Sequence, residues 1–338
     1  QTSAFTDDSS FFSTSILIKD FNNDGLNDIL FGNYVTVSQD QNILELNAGY
    51  QTQQSINFDS ALYDAQPDTL YINNGTFNFV QNTTLTSANR HGRTLGFYEE
   101  GAVLALNDKG STSQVVYLPE KNKTLQKIVL NARDAAQIQS PKNTSADATQ
   151  KHLLIASDAT KGGVYALELG DHESNDKSWD YGINSESSLY LNSWAVLVAD
   201  FNHDDNDDIF LTNGSLTPHP DTEMTTVGQA NSLLIANKTD HRFDKLVLPN
   251  ERVLSSRGAA YLDFNNDGAL DIVINNNNDY ASLLVNKIPN KANWIGFKCT
   301  PSFLCEKANI TFNKKVFENA FNPQRHFMSQ SAPGLALK

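Results

Sequence analysis

The chain has 338 residues, of which 39% are apolar and 10% aromatic, and a formal charge of −14. That length can bury a sizeable core in one large domain or two smaller ones. An acidic chain with no basic cluster disfavours nucleic acid and anionic lipid as partners, and no apolar run approaches the roughly 18 residues of a membrane span.

The first predicted element is Ile16-Leu17-Ile18, then Asp20-Phe21-Asn22-Asn23-Asp24-Gly25-Leu26-Asn27-Asp28, then Ile29-Leu30-Phe31. The flanking runs are short, β-branched and aromatic, which predicts strands on both sides of a loop. Side-chain oxygens fall at loop positions 1, 3, 5 and 9 (Asp20, Asn22, Asp24, Asp28), and Leu26 at position 7 can offer its carbonyl. An all-oxygen donor set suits Ca²⁺, which takes about six to eight oxygens in irregular geometry, better than Mg²⁺, which demands a near-octahedral cage. An EF-hand begins in the same way but closes with a bidentate Glu at position 12, where this loop has Phe31.

Residues 34–67 form a long connection containing Tyr34, Tyr50, Phe58 and Tyr63, followed by Leu70-Tyr71-Ile72-Asn73-Asn74-Gly75-Thr76-Phe77. Arg90, His91 and Arg93 make a small cationic cluster, either a solvated turn or a grip for an acidic sugar. Residues 94–98 and 102–106 read as a hairpin, with Glu99-Glu100-Gly101 where a metal loop would lie and outer strands at 114–118 and 125–130. A polar loop is expected over 131–150, then strands at 152–156 and 164–169.

The loop unit returns as Asp200-Phe201-Asn202-His203-Asp204-Asp205-Asn206-Asp207-Asp208, between Val196-Leu197-Val198 and Ile209-Phe210-Leu211. Its predicted ligands are Asp200, Asn202, Asp204, Asp208 and the Asn206 carbonyl. Asp205 replaces the glycine that eases a left-handed backbone at position 6, so this loop is expected to bind most weakly. His203, at position 4, is expected to point outward. A second long connection, 214–230, carries Pro218, His219, Pro220, Asp221 and Glu223, and Leu233-Leu234-Ile235-Ala236-Asn237-Lys238 follows.

The third copy is Asp263-Phe264-Asn265-Asn266-Asp267-Gly268-Ala269-Leu270-Asp271, between Ala260-Tyr261-Leu262 and Ile272-Val273-Ile274. Asp263, Asn265, Asp267, Asp271 and the Ala269 carbonyl are its predicted ligands. The aromatic at position 2 (Phe21, Phe201, Phe264) is expected in the core. One such loop can be an Asx-rich turn that binds nothing; three copies with the same oxygen positions favour a metal. Three Ca²⁺ ions would take the formal charge from −14 to −8.

The loops begin at 20, 200 and 263. A repeat of about 60 residues places two further units in the first interval and points to a repeated β architecture. Residues 299–338 hold one expected strand, 309–312, and an irregular run. Cys299 and Cys305, the only cysteines, read as a loop-closing disulfide of an oxidising compartment or as two buried thiols, and no nearby ligands suggest zinc.

At the three aspartate loops the sequence resembles the FG-GAP/VCBS repeats of calcium-binding β-propellers, as in integrin α-chain heads. The stretches Leu70 to Phe77 and Leu233 to Lys238 resemble the outer hairpins of such blades. The tail, with Asn293-Trp294-Ile295-Gly296-Phe297-Lys298 and Ser329-Gln330-Ser331-Ala332-Pro333-Gly334-Leu335, is similar to the cartilage-acidic-protein-like (ASPIC/UnbV) branch. The resemblance implies an all-β propeller of four-stranded blades over 1–298, five countable and up to seven possible, and a small β segment over 299–338 that is incomplete or closes the ring. Its calcium loops would join strands 1 and 2 on one face, and the two long connections would lie on the other.

Function is then expected to be non-enzymatic. A secreted or extracellular monomer, or a periplasmic or cell-surface one if bacterial, would use structural Ca²⁺ and recognise a protein or glycan with its long-loop face. With no apolar leader at Gln1, the sequence reads as a mature secreted chain or a piece of one. The histidines are scattered, and no nucleophile elbow, Walker loop or dinucleotide fingerprint occurs. Two alternatives are weighed: a polysaccharide lyase or hydrolase on the same scaffold, whose acid–base pair need only be close in space, and a lectin, which the irregular blades disfavour.

Overall fold

In the computed structural model of the chain, the described residues are 11–36, 64, 66–76, 78–82, 92–97, 103–107, 113–117, 123–128, 132–141, 152–158, 163–169, 174–183, 191–218, 226–249, 252–288, 295–297, 307–312, 315–320, 325–326, 329–330 and 335–337. Among them the fold is all-β, without an α-helix. No helix there is long and apolar enough to cross a membrane, which says nothing about a β-barrel.

Five antiparallel sheets follow one another along the chain. The first joins β1 (Phe11–Lys19), β2 (Asp28–Thr36), β3 (Thr69–Asn73) and β4 (Phe79–Asn82). The second joins β5 (Gly92–Phe97), β6 (Val103–Asn107), β7 (Ser113–Tyr117) and β8 (Lys123–Ile128). The third joins β9 (Ala132–Gln139), β10 (His152–Asp158), β11 (Val164–Leu169) and β12 (Ser174–Asp176). The fourth joins β13 (Ser193–Ala199), β14 (Asp208–Pro218), β16 (Ser232–Asn237) and β17 (Arg242–Leu246), with β15 (Thr226–Gly228) paired to the far end of β14. The fifth has three strands, β18 (Ser256–Leu262), β19 (Asp271–Asn276) and β20 (Ser282–Leu284).

The tail is richer in strands than the single one expected. β21 (Ile295–Phe297) pairs with β26 (Leu335–Leu337), β22 (Lys307–Phe312) with β23 (Lys315–Ala320), and β24 (Arg325–His326) with β25 (Ser329–Gln330). β21 thus leaves the fifth sheet, where a fourth strand was expected. The expected polar loop at 131–150 begins instead with β9, the first strand of its sheet. Part of the second long connection is also strand, since Gly214 pairs with Gly228 and Pro218 with Thr226.

Each sheet is a meander in which hydrogen-bonded neighbours follow chain order, with β15 set beside the far end of β14. Consecutive sheets pack through their first strands: β5 lies on β1 and β2, β9 on β5 and β6, β13 on β9 and β10, and β18 on β13 and β14. Strand alternation separates the two faces of a sheet. Val196, Val198, Ile209, Leu211 and Leu234 pack against the third sheet's Ile138, Leu153, Ile155, Val164 and Ala166. Ala195, Leu197, Ala199, Phe201, Phe210 and Leu233 pack against the fifth sheet's Ala259, Ile272 and Ile274. The strand β24 touches β5, β9, β13 and β18, the first strands of four sheets.

Where the third, fourth and fifth sheets begin, the Trp194 ring lies between two guanidinium groups, Arg133 at 4.6 Å and Arg257 at 4.2 Å from its centroid. Arg133 donates to the Ser193 carbonyl (3.1 Å), Arg257 to the Ser215 carbonyl (3.0 Å), and the indole N–H to the Gly214 carbonyl (2.8 Å). Burial, and secondarily the nearby Arg133 charge, lower the Arg257 pKa to about 10. Cation–π stacking helps these buried charges sit between sheets.

Candidate metal centre

All three aspartate loops connect the first and second strands of their sheets: β1 to β2, β13 to β14 and β18 to β19. Their backbones share one conformation. Position 4 is left-handed in each, with φ 59° at Asn23, 59° at His203 and 58° at Asn266, and so is position 6, with 87° at Gly25, 66° at Asp205 and 86° at Gly268. Asp205 therefore holds a conformation that glycine adopts freely, as its place in the sequence suggests.

The first and third loops carry matching hydrogen bonds. Asp20 accepts from the amides of Asp24 (3.1 Å) and Gly25 (2.7 Å), and Asp263 from those of Asp267 (3.1 Å) and Gly268 (3.0 Å). Asn22 Oδ1 accepts from the Asp24 amide and Asn265 Oδ1 from the Asp267 amide, both at 3.1 Å. Asp24 and Asp267 accept from the amides of Leu26 (2.8 Å) and Ala269 (2.9 Å). In the middle loop, Asp200 accepts from the amides of Asp204 and Asp205 and Asp204 from that of Asn206, each at 2.9 Å.

The position-9 aspartates have a further task. Asp28, Asp208 and Asp271 are all fully buried. One oxygen of each accepts from the position-2 amide, Phe21 (2.9 Å), Phe201 (3.0 Å) or Phe264 (2.8 Å). The other accepts from the third strand or just beyond it, at Asn73 (2.8 Å), Ala236 (2.9 Å) or Asn286 (2.8 Å). Each thus ties its loop to the rest of its sheet. Burial raises the Asp28 pKa against the two amide bonds, and Asp24 and Asp20 add to the rise. Burial likewise lifts Asp208 to about 7, with further increments from Asp200 and Asp204.

Among the described residues, no three His, Cys, Asp or Glu side chains converge into a ready metal-holding group. The loop carboxylates are turned onto loop amides instead. A carboxylate oxygen has a second lone pair, so those bonds leave acceptor capacity. The donor set is all oxygen, as a hard cation requires. In the middle loop Asn202 Oδ1, a predicted ligand, is buried without a hydrogen-bond partner. That orphaned oxygen and the mutually repelling carboxylates fit a cation. Leu26, Asn206 and Ala269 occupy the predicted carbonyl positions, with Asn206 and Ala269 buried.

Two expectations about loop side chains need correction. Phe21 and Phe201 are 4% and 3% exposed, but Phe264 is 59% exposed. Phe201 meets Tyr261 of the following sheet edge-on, with ring centroids 6.4 Å apart; among the described residues no following sheet covers Phe264. His203 does not simply point outward, because its Nδ1 is buried without a partner. The middle loop also receives Lys238, whose ammonium donates to the Asp204 carbonyl.

Sequence reading missed the devices that brace these loops. Asn73 donates its side-chain amide to the Asn27 carbonyl (3.1 Å), and Asn286 to the carbonyls of Phe201 (2.8 Å) and Leu270 (3.3 Å). At the other end of the sheets, Ser13, Ser193 and Ser256 donate to Oδ1 of Asn33, Asn213 and Asn276 at 2.7, 2.7 and 2.9 Å. These asparagines in turn donate to Thr69, Ser232 and Ser282 on the third strand. The signal was available: in every copy the Ser stands seven residues before the first loop Asp and the Asn five after the last.

Other expected features fare differently. Tyr34, expected in a long loop, is buried at the end of β2. Tyr50, Phe58, Tyr63, His219, Pro220, Asp221, Glu223, Arg90, His91, Cys299 and Cys305 lie outside the described residues. No family model matches the chain, and no curated protein matches it.

Proposed function

We propose that the chain is a calcium-stabilised extracellular recognition module of the FG-GAP/VCBS type, its five sheets acting as blades around a common axis. The observation that carries this reading is the threefold recurrence of one all-oxygen loop, with the same left-handed residues and the same aspartate tie to the third strand. Contact of β24 with the first strands of four sheets supports a common axis.

In each loop the position 1, 3, 5 and 9 side chains and the position-7 carbonyl would hold the ion. Bound Ca²⁺ supplies positive charge that offsets carboxylate repulsion; it does no chemistry on a substrate. The chain's own residues do the bracing, fixing each hairpin so that connections at the opposite end form a steady recognition surface for a protein or glycan. That end holds the β14–β15 hairpin and exposed Tyr280 and Val253, beside the Arg252–Asp279 ion pair (3.4 Å).

Thermal unfolding in calcium and in excess chelator tests the metal reading. An ion bound only by the folded chain at a hundred times its Kd adds about 2.7 kcal/mol per site. A substantial fall in Tm in chelator, reversed by Ca²⁺ and not by Mg²⁺, is expected; identical melts would overturn the reading. A glycan array and a pull-down on the calcium-loaded protein then test the recognition surface.

A further inference from the structure

The first strand of every one of the five sheets is irregular at the same place. It lies just past the pairs Ser13–Asn33, Gly92–Asn107, Ala132–Asp158, Ser193–Asn213 and Ser256–Asn276, where the first strand holds one residue more than its partner. A bulge of this kind re-aims a side chain and is common beside binding sites. The residues that directly follow those pairs are Thr14, Arg93, Arg133, Trp194 and Arg257. The metal loops follow the ends of first strands, so these positions, near the starts, belong to the opposite end of the sheets. The three arginines are too far apart along the chain to read as a basic cluster; the shared register gathers them.

Trp194 and Arg133 are buried and Arg257 is partly buried, the indole filling the space between the two guanidinium groups. Arg257 donates to Ser255 Oγ (2.9 Å), the Ser256 carbonyl (2.9 Å) and the Ser215 carbonyl (3.0 Å), all neutral oxygens. A guanidinium has five N–H donors, so Arg257 keeps donor capacity, and among the described residues no carboxylate pairs with it. Asp134, the buried carboxylate next to Arg133, accepts from the amides of Ala135 (3.0 Å) and Val196 (2.9 Å). One carboxylate cannot balance three arginines. The strand β24, Arg325-His326, brings a further cationic residue against β5, β9, β13 and β18, the strands that carry them. Asn276 links this place to an exposed ring: it accepts from Ser256 Oγ (2.9 Å) and donates to the Tyr280 carbonyl (2.8 Å), and Tyr280 is 83% exposed. Asp279, beside Tyr280, is paired with Arg252.

We propose that this end of the sheets is a receptor for an acidic oligosaccharide, with Arg257 pairing with a uronate carboxylate, Arg133 and Trp194 fixing Arg257 in place, and Tyr280 giving a platform for a sugar ring. The assignment names a ligand class for the recognition end described above and rests on that reading. A guanidinium fork matches a carboxylate, with two parallel hydrogen bonds. Clustered charge of one sign focuses the local field, so an anion is drawn here although the chain as a whole is acidic. The exposed tyrosine selects a sugar, whose flat face stacks on an aromatic ring, over a bare anion.

The test is calorimetric titration of the calcium-loaded chain with an unsulfated heparosan hexasaccharide, which carries glucuronate at alternate sugars. Its carboxyl-reduced, neutral form and a blocked tri-glutamate peptide of equal charge are the comparisons. Wild type is expected to bind the acidic sugar, more weakly as salt rises, and to bind the neutral sugar and the peptide far less. Arg257→Gln should lower the affinity about tenfold or more, the scale of one charge-assisted contact. Tyr280→Ala, at an exposed position, should lower it as well, and both variants should keep the wild-type calcium uptake and circular dichroism. If Arg257→Gln does not fold, Tyr280→Ala and the neutral sugar decide. Wild type that takes up calcium but ignores the acidic sugar overturns the proposal. So does equal binding of the neutral sugar, tighter binding of the peptide, or unchanged affinity in Tyr280→Ala or in folded Arg257→Gln. A chain that takes up no calcium overturns the metal reading instead, and the same titration in chelator still decides this one.

Discussion

The aspartates of one loop divide their labour. Asp271 spans two backbone amides across its sheet, whereas Asp267 caps a loop amide at an exposed turn. Asp271→Ala strips partners from two amides and is expected to cost about 2–4 kcal/mol even in chelator, since an orphaned buried donor costs about 1–3 kcal/mol. Asp267→Ala should cost little in chelator and lower Tm only when calcium is present. Denaturant titrations of both variants, with and without Ca²⁺, measure the split; equal losses in both conditions for Asp267→Ala would remove it from the ligand set. Position 6 gives a second handle. Asp205 holds φ 66° where its counterparts are glycine, so Asp205→Gly should stabilise the chelated protein by about 1 kcal/mol, the scale of the left-handed penalty. A destabilised variant would show that the Asp205 side chain contributes more than its backbone strain costs.

At the scale of elements, the Ser–Asn pairs and the loops clamp opposite ends of the same strands. Asn276 bonds Ser256, Ser282 and the Tyr280 carbonyl, uniting three strands of the fifth sheet. The β14–β15 hairpin is packed closely on its neighbour: a methyl group at Gly214 would lie 2.5 Å from Arg257 Nη1 and 2.9 Å from the Ser255 backbone. Gly214→Ala should therefore cost about 1–3 kcal/mol, as overpacking does, and chemical denaturation checks it; an unchanged midpoint would mean that the hairpin sits looser than described.

Strands flanking the loops were legible because their apolar triplets stand beside fixed aspartates. β9 was not, because its sequence reads as polar. Arg133 and Asp134 are buried there only because their hydrogen bonds cross to the next sheet, at the Ser193 carbonyl and the Val196 amide (2.9 Å). Hydropathy along one strand cannot reveal partners on another. In the tail the strand at 309–312 was legible, within β22, but its partner β23 and the other short strands were not, because those runs carry no loop signature to fix their pairing.

For the whole molecule, the repeated unit sets both order and limits. A sheet covers its predecessor's apolar face, so the aromatic at loop position 2 is buried where another sheet follows and exposed at Phe264. Sequence alone could identify Phe21, Phe201 and Phe264 as equivalent but not which of them a neighbour would cover, because that depends on a long-range contact. The acidic charge has the same origin. Nine of the carboxylates occupy the predicted ligand positions of the three loops, so calcium bound as proposed would change the charge of the loop ends of the sheets far more than that of their opposite ends.

Isothermal calorimetry of calcium into metal-stripped protein tests the central claim most directly. Uptake of three ions is expected, falling by one in each of Asp24→Ala, Asp204→Ala and Asp267→Ala. No heat of binding, or a stoichiometry that none of these substitutions lowers, would contradict it.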